Sequence, residues 1–533
     1  MMKKILLLTI ILGFATVLPA QDYGNHAQTS RRAQALRDKY PDKVQLKSLG
    51  KTAGGHDIWL LTLGKGETDR HPAIAITGGV DGRHLLGVEM AIGIAENLLA
   101  QPNIDAVLAQ NTYYIFPNVN PDATEQYFAP LRYERTLNGR KTDNDRDGTV
   151  GEDPYDDLNN DKMITKMRVE SPKGTYIVSP IDPRVLIPAN PAKGEIGKYL
   201  LFSEGIDNDK DGLFNEDGEG GVNFNKNFTF MYKNFQPESG DWAISEAESK
   251  AVADFLYDAF NVHTVLSFSL HNNLSRATRA LSTRQTGFGP ENAEDTNIYS
   301  YISSLYNQAV PDIANTTALP AEGGEFYTWA YQHYGRYSFA TPAWWPVSSD
   351  RATEGNLELT YLNWAAANNV SDIFVPWTVI NNHPDFPDQK VEVGGIKPHV
   401  MYNPPYAMVR DLASKHTSFV TELTKTAPRI AIASFKKQTL DKNITRVTLV
   451  IKNDGLMPTI NQIGERSYYL KYITTQLKLG SGQSLIQGNI KVTRPVLKGG
   501  ETTEITWLIM GSGKLSVETG TPTAGYASAE ITL

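Results

Sequence analysis

Gly78-Gly79-Val80-Asp81-Gly82-Arg83-His84-Leu85-Leu86-Gly87-Val88-Glu89 is the stretch on which the fold turns. It follows a short apolar run, Ala73-Ile74-Ala75-Ile76-Thr77, which reads as a buried strand ending in paired glycines. From Leu85 to Leu99 the apolar residues recur at helical spacing, so a helix is expected there. Asp81 and His84 sit three residues apart where that helix begins, a spacing that puts side chains on one face.

Working outward, Val44–Leu49, Asp57–Leu63 and Thr112–Val119 read as further strands. Ser245–Phe260 opens with a Ser-x-x-Glu capping box (Ser245, Glu248) and reads as a helix. Val262–Leu270 is again a strand and delivers His271 at its C-terminal end, where sites form in open α/β sheets. Strands alternating with helices mean an α/β domain, a mixed sheet flanked by helices. Asp81, His84 and His271 supply one carboxylate and two imidazoles, a sound Zn²⁺ set that leaves a position for water. A metal-free site built on the same residues is the competing reading. After Pro428 the texture changes to short alternating strands. They are Ile430–Ile432, Val447–Ile451, Tyr468–Ile473, Ile490–Val492 and Thr503–Leu508, separated by Gly, Asn and Ser turns. That pattern is an all-β sandwich.

The chain has 533 residues and a formal net charge of −8, which argues against a nucleic-acid partner. It has no cysteine, so disulfides, thiolate nucleophiles and Cys-bound metals are excluded. Lys3-Lys4, the apolar run Ile5–Val17 and Ala20 have the layout of an export signal. The expected organisation is a signal peptide over 1–20, an α/β domain over 21–427 and a β-sandwich over 428–533. The product would be secreted or periplasmic, without a membrane span in its mature form.

Two near-repeats interrupt the α/β region. Asp143-Asn144-Asp145-Arg146-Asp147-Gly148 is followed by Glu152-Asp153, and Asp207-Asn208-Asp209-Lys210-Asp211-Gly212 by Glu216-Asp217. Carboxylates at positions one, three and five before a glycine can wrap a hard cation. Asp143, Asp145, Asp147, Asp207, Asp209 and Asp211 are therefore candidate Ca²⁺ ligands, against a plain solvated acidic turn.

Over roughly residues 22–427 the chain resembles the carboxypeptidase A-like zinc metallocarboxypeptidases, particularly their secreted bacterial members. The resemblance rests on ordered markers: Gly54-Gly55 before Ile58-Trp59-Leu60, Gly78 to Glu89, Asn118-Val119-Asn120-Pro121-Asp122, Gly221 to Phe228, Ser269-Leu270-His271-Asn272, Trp329-Ala330-Tyr331, Tyr337-Ser338-Phe339, Val391 to Gly395 and Asn403-Pro404-Pro405. It implies cleavage of peptide or peptide-like amide bonds at a C-terminus by zinc-activated water, with a peptide or peptidoglycan-like substrate. The family's zinc slot, His-x-x-Glu, reads Asp81-x-x-His84 here, with the ligand types exchanged, and His271 matches the third ligand. The resemblance puts Asn225 and Lys226 on the substrate carboxylate, Lys standing where the family has Arg. It makes Arg140 the carbonyl-polarising group, with Arg135 as fallback. It puts Pro342 at the catalytic Glu position and Pro320 near the Tyr position. Glu325, or Glu322 beside it, is then the candidate for a relocated base. The alternative it leaves open is a catalytically silent relative that binds peptides or glycans. A further reading makes the sandwich the working part.

Overall fold

The computed structural model describes residues 22–143, 148–215, 218, 220–277, 293–313, 316, 319–348, 350–353, 355–467 and 469–533. The expected signal peptide, 1–20, lies outside the described residues. Six strands form the central sheet in the order Val44–Lys51, Asp57–Leu63, Thr112–Phe116, Ala73–Thr77, Val262–Phe268, Tyr337–Thr341. The first two join antiparallel, and the last four run parallel to one another. Each parallel strand is buried along its whole length, as expected when helices cover both faces. Leu85–Leu99 and Val409–Lys425 pack together over one face. Val409, Leu412, Ala413, His416, Phe419, Val420 and Leu423 turn inward at three- and four-residue intervals.

Register brings the strand ends level. Thr77 stands opposite Phe116 on one side and Ser267 on the other, and Phe268 stands opposite Thr341. The segments carrying Asp81, Asn118, His271 and Pro342 therefore leave the sheet along one edge. The order also reverses there, because successive connections from Ala73–Thr77 go to opposite sides, which opens a crevice at the strand ends.

Three local readings change. The capping box at Ser245 does not form. The helix runs Ala247–Asp258 from Glu246, Ser245 Oγ donates to the Glu246 carboxylate at 2.6 Å, and Glu248 turns into the interior beside Asn138. The run after Tyr468 is not a strand until Ile473. Tyr469 packs instead on Tyr257 and Phe260, so its aromatic surface docks the C-terminal sheets onto the helix layer. A second sheet, six antiparallel strands built from 166–203 and 374–396, carries no strong sequence pattern because its strands are short.

Residues 430–532 form two four-stranded antiparallel sheets. Ile444–Asn453 and Thr502–Met510 alternate buried and open positions, and Trp507 fills the space between the sheets. Arg70 lies 3.9 Å from the Tyr526 ring, and the Gln462 amide donates to Asp295 at 3.2 Å, tying these sheets to the α/β body.

Candidate functional site

The turn after Ala73–Thr77 leaves no room for side chains. Gly79 has φ +69°, and a Cβ there would stand 2.1 Å from Asn118 Oδ1. The tight turn aims Asp81 and Arg83 at each other. Asp81 Oδ1 accepts from the Arg83 amide and Nε, both at 3.0 Å, and Oδ2 accepts from Nη2 at 2.8 Å. Burial alone would raise the Asp81 carboxyl, but the Arg83 charge and its hydrogen bonds outweigh it and hold the group below the usual carboxylate range.

His84 points the other way. It is fully buried, and its Nε2 donates to the Pro342 carbonyl at 3.0 Å. A carbonyl can only accept, so the proton sits on Nε2. Burial pulls this imidazole down to about 4, which keeps it neutral at physiological pH. Gly87 makes the inward rotamer possible, since a Cβ there would come within 2.9 Å of His84 Nδ1.

The expected metal triad does not converge in this structure: Asp81, His84 and His271 do not bring three ligand atoms within 4.8 Å of one another. Asp81 is held by Arg83 and His84 Nε2 by a backbone carbonyl, while His84 Nδ1 is buried without a hydrogen-bond partner and His271 Nε2 has none among the described residues. Among the described residues, the one set of three or more acidic or His ligand atoms within 4.8 Å of one another is Asp207, Asp209 and Asp211. Zinc chemistry needs three converging ligands plus water, and the residues at this edge do not fit it.

Pro342 follows the strand Tyr337–Thr341 and contributes its backbone only. Its carbonyl accepts from His84 and also from the Trp344 amide at 2.7 Å, around Ala343 at φ +60°. A non-glycine residue in that region is strained and is held here by the packed Trp344–Trp364 pair.

In front of this edge opens a cleft of about 450 Å³. Asp81 and Arg83 form one part of its lining, and Glu134 and Thr136 come from the following loop. Asn223, Asn225, Lys226 and Glu238 line it too, as do His271, Leu319, Pro320, Glu322 and Glu325. Asn225 Oδ1 accepts the Phe326 amide, which leaves its Nδ2 turned to the cleft. The Lys226 ammonium is held at 2.7 Å by Glu238, so its charge is met from within. His271 Nδ1 donates to the Leu319 carbonyl at 3.0 Å, with Tyr327 tilted against the ring at 5.3 Å.

Two other expectations change. Arg140 does not line the cleft. Its guanidinium pairs with Glu246 and Asp241, and Arg135 donates to the Leu137 and Asn138 carbonyls. Glu325 does line the cleft, but its carboxylate accepts the Glu322 and Gly323 amides and the Thr328 hydroxyl, so it is committed to the turn rather than free as a base. Sequence reasoning missed Arg83, Glu134 and Glu238. Arg83 was readable, since it stands two residues from Asp81 inside a glycine-rich turn. The two glutamates carry no local signal.

In the second acidic loop Asp207, Asp209 and Asp211 converge. Of the first, Asp143 accepts the Gly148 amide, while Asp145 and Asp147 lie outside the described residues. The acid after the first loop, Asp153, is buried and accepts the amides of Asn208 and Asn215, so one loop anchors the other. Among the described residues, no helix is long and apolar enough to cross a membrane.

A family model described as zinc carboxypeptidase matches residues 30–352, and one described as a domain of unknown function (DUF8731) matches 429–532. A zinc carboxypeptidase from Saccharothrix mutabilis subsp. capreolus is 28% identical over 138 residues, 25% of this chain and 31% of the relative. Carboxypeptidase B from Astacus astacus is 26% identical over 114 residues, 21% of this chain and 37% of the relative. The chain thus spans about a third of the length of these curated relatives. Bovine thrombin-activatable fibrinolysis inhibitor, solved in complex with tick carboxypeptidase inhibitor, aligns at 13% identity and a TM-score of 0.42, over 76% of this chain and 96% of that one.

Proposed function

We propose that this chain, which belongs to the zinc carboxypeptidase family, binds peptide-like ligands in its cleft without cleaving them. The observation that carries this reading is the locked strand edge: His84 is held on the carbonyl of Pro342 and Asp81 is clasped by Arg83. Family hydrolysis rests on a metal-bound water and a carboxylate base. Here the ligand side chains face other partners, and proline occupies the base position. Loss of a general base alone removes about 10²–10⁴ in rate. What remains is a cleft with binding groups, Asn225 Nδ2 for a carbonyl or carboxylate and carboxylates for N–H donors. The basic start, the apolar run and Ala20 support export of the chain, secreted or periplasmic, where peptides or peptidoglycan fragments would be its ligands.

Elemental analysis of the purified protein, together with mass spectrometry of a peptide pool incubated with it and added Zn²⁺, tests this. The expected outcome is zinc far below one per chain and an uncut pool. One zinc per chain with loss of C-terminal residues, abolished by His271→Ala, overturns the reading.

A further inference from the structure

At the other end of the parallel strands from the cleft, the C-terminal sheets meet the α/β body around a cavity of about 10 Å³, room for roughly one water-sized ligand. His263, at the start of Val262–Phe268, and Arg336, just before Tyr337–Thr341, line it from the α/β side. Met457, Asn461 and Lys471 line it from segments between the C-terminal strands. None of its described lining residues is an aspartate or a glutamate, so the walls carry two cations and no acid.

Arg336 is 4% exposed. Its Nε donates to the Val262 carbonyl at 2.6 Å, and Nη1 donates to the Tyr334 and Gly335 carbonyls at 3.3 and 3.0 Å. Nη2 has no hydrogen-bond partner, and the guanidinium no ion pair, among the described residues. Carbonyl dipoles share a buried charge without neutralising it, and buried charges are as a rule paired. The unpaired charge reaches across the cavity. Burial first, and then the Arg336 charge, pull His263 down to about 3, so that imidazole is neutral.

Asn461 is an independent observation. It is 2% exposed, and its Oδ1 accepts the Gly464 amide at 3.1 Å. A backbone N–H can only donate, so this bond fixes which end of the side-chain amide is which. Nδ2, the other end, is buried without a hydrogen-bond partner. A buried donor left unmet costs stability, and such groups in native structures mark a missing partner. Two unmet donors on one acid-free cavity call for an acceptor that carries negative charge. A water would accept from both and leave the guanidinium unneutralised. The space excludes a carboxylate-bearing metabolite or a phosphate ester.

We propose that this cavity binds a small inorganic anion, chloride in size and charge, on Arg336 Nη2 and Asn461 Nδ2, and that the ion fastens the C-terminal sheets to the α/β body. Lys471, whose ammonium lies 4.4 Å from the Phe260 ring, adds a second positive charge at its edge. The site is separate from the cleft and does not depend on how the cleft is read.

Thermal melting of the full chain at constant ionic strength, with sodium gluconate replaced stepwise by sodium chloride, tests it. Gluconate is too large for the cavity, and constant ionic strength holds general screening fixed. An ion bound only by the folded state shifts the folding equilibrium about elevenfold at ten times its dissociation constant, so the melting temperature should climb with chloride. Crystals soaked in sodium bromide should show an anomalous peak between Arg336 and Asn461. Asn461→Asp keeps the acceptor for the Gly464 amide and sets a carboxylate beside the guanidinium, so it should abolish the chloride dependence. Equal melting temperatures in the two salts, a cavity without bromide, or a chloride dependence unchanged in Asn461→Asp overturns the proposal.

Discussion

Two neighbouring strands of one sheet end in opposite ways. At the end of Ala73–Thr77 the candidate ligands turn inward, Asp81 to Arg83 and His84 Nε2 to the carbonyl of Pro342, and His84 Nδ1 is buried without a partner among the described residues. At the end of Val262–Phe268, His271 keeps one nitrogen turned to the cleft. The backbone frame is the same for both: parallel strands in matched register, glycines at the tight approach, and a crevice beyond the C-terminal edge. The difference teaches that frame and chemistry are separable. Backbone packing is set by many contacts at once, whereas a side chain's partner is set by one rotamer and one nearby acceptor.

Removing the internal cation strikes the comparison hardest. Arg83→Gln leaves a buried carboxylate unpaired and should cost about 3 kcal/mol in urea unfolding. The double variant with Asp81→Asn should recover much of that loss. Additive losses would mean that the two groups do not act as a pair.

His84→Ala comes next. It opens a cavity and orphans the Pro342 carbonyl, for about 2–3 kcal/mol. The melting temperature of the unmodified protein should be indifferent to chelator and to added Zn²⁺. A chelator-induced drop as large as the His84→Ala loss would make the first strand end a metal site after all.

A third effect lies behind the sheet edge. Burial pushes Glu248 up to about 7, with Asp122 and Glu246 adding to it. Between the unfolded value near 4.5 and about 7 the folded state holds the extra proton, so stability contributed here is present at low pH and is lost as pH rises. Glu248→Gln, which keeps the contact to Asn138, should stabilise the protein by roughly 2 kcal/mol at pH 8 and by little at pH 4.5. A constant difference across that range would place the effect in packing rather than charge.

The smallest expected effect is at the acidic loop. Asp207, Asp209 and Asp211 converge, so Ca²⁺ at ten times its dissociation constant should add about 1.4 kcal/mol of stability by linkage. Asp209→Asn should remove most of that gain. A melting curve indifferent to Ca²⁺ would leave the loop as a solvated acidic turn.

The amino-acid sequence by itself determined the elements around the site. Ala73–Thr77 and Leu85–Leu99 stand where the apolar pattern puts them, because burial of a whole strand or a helix face imposes its period on neighbouring residues. His271 at a strand end, Asn225 on the cleft wall and proline at position 342 were legible for the same local reason, helped by ordered family markers. Only the tertiary structure decided who partners whom. His84 meets a carbonyl 258 positions away, and Arg140 is drawn off by Glu246, 106 positions on. Glu134 and Glu238 reach the cleft from loops without a period to read. A hydrogen bond or ion pair is a short-range event between groups distant in the chain. Local spacing announces which residues can make one, and the packed fold alone selects the pair that does.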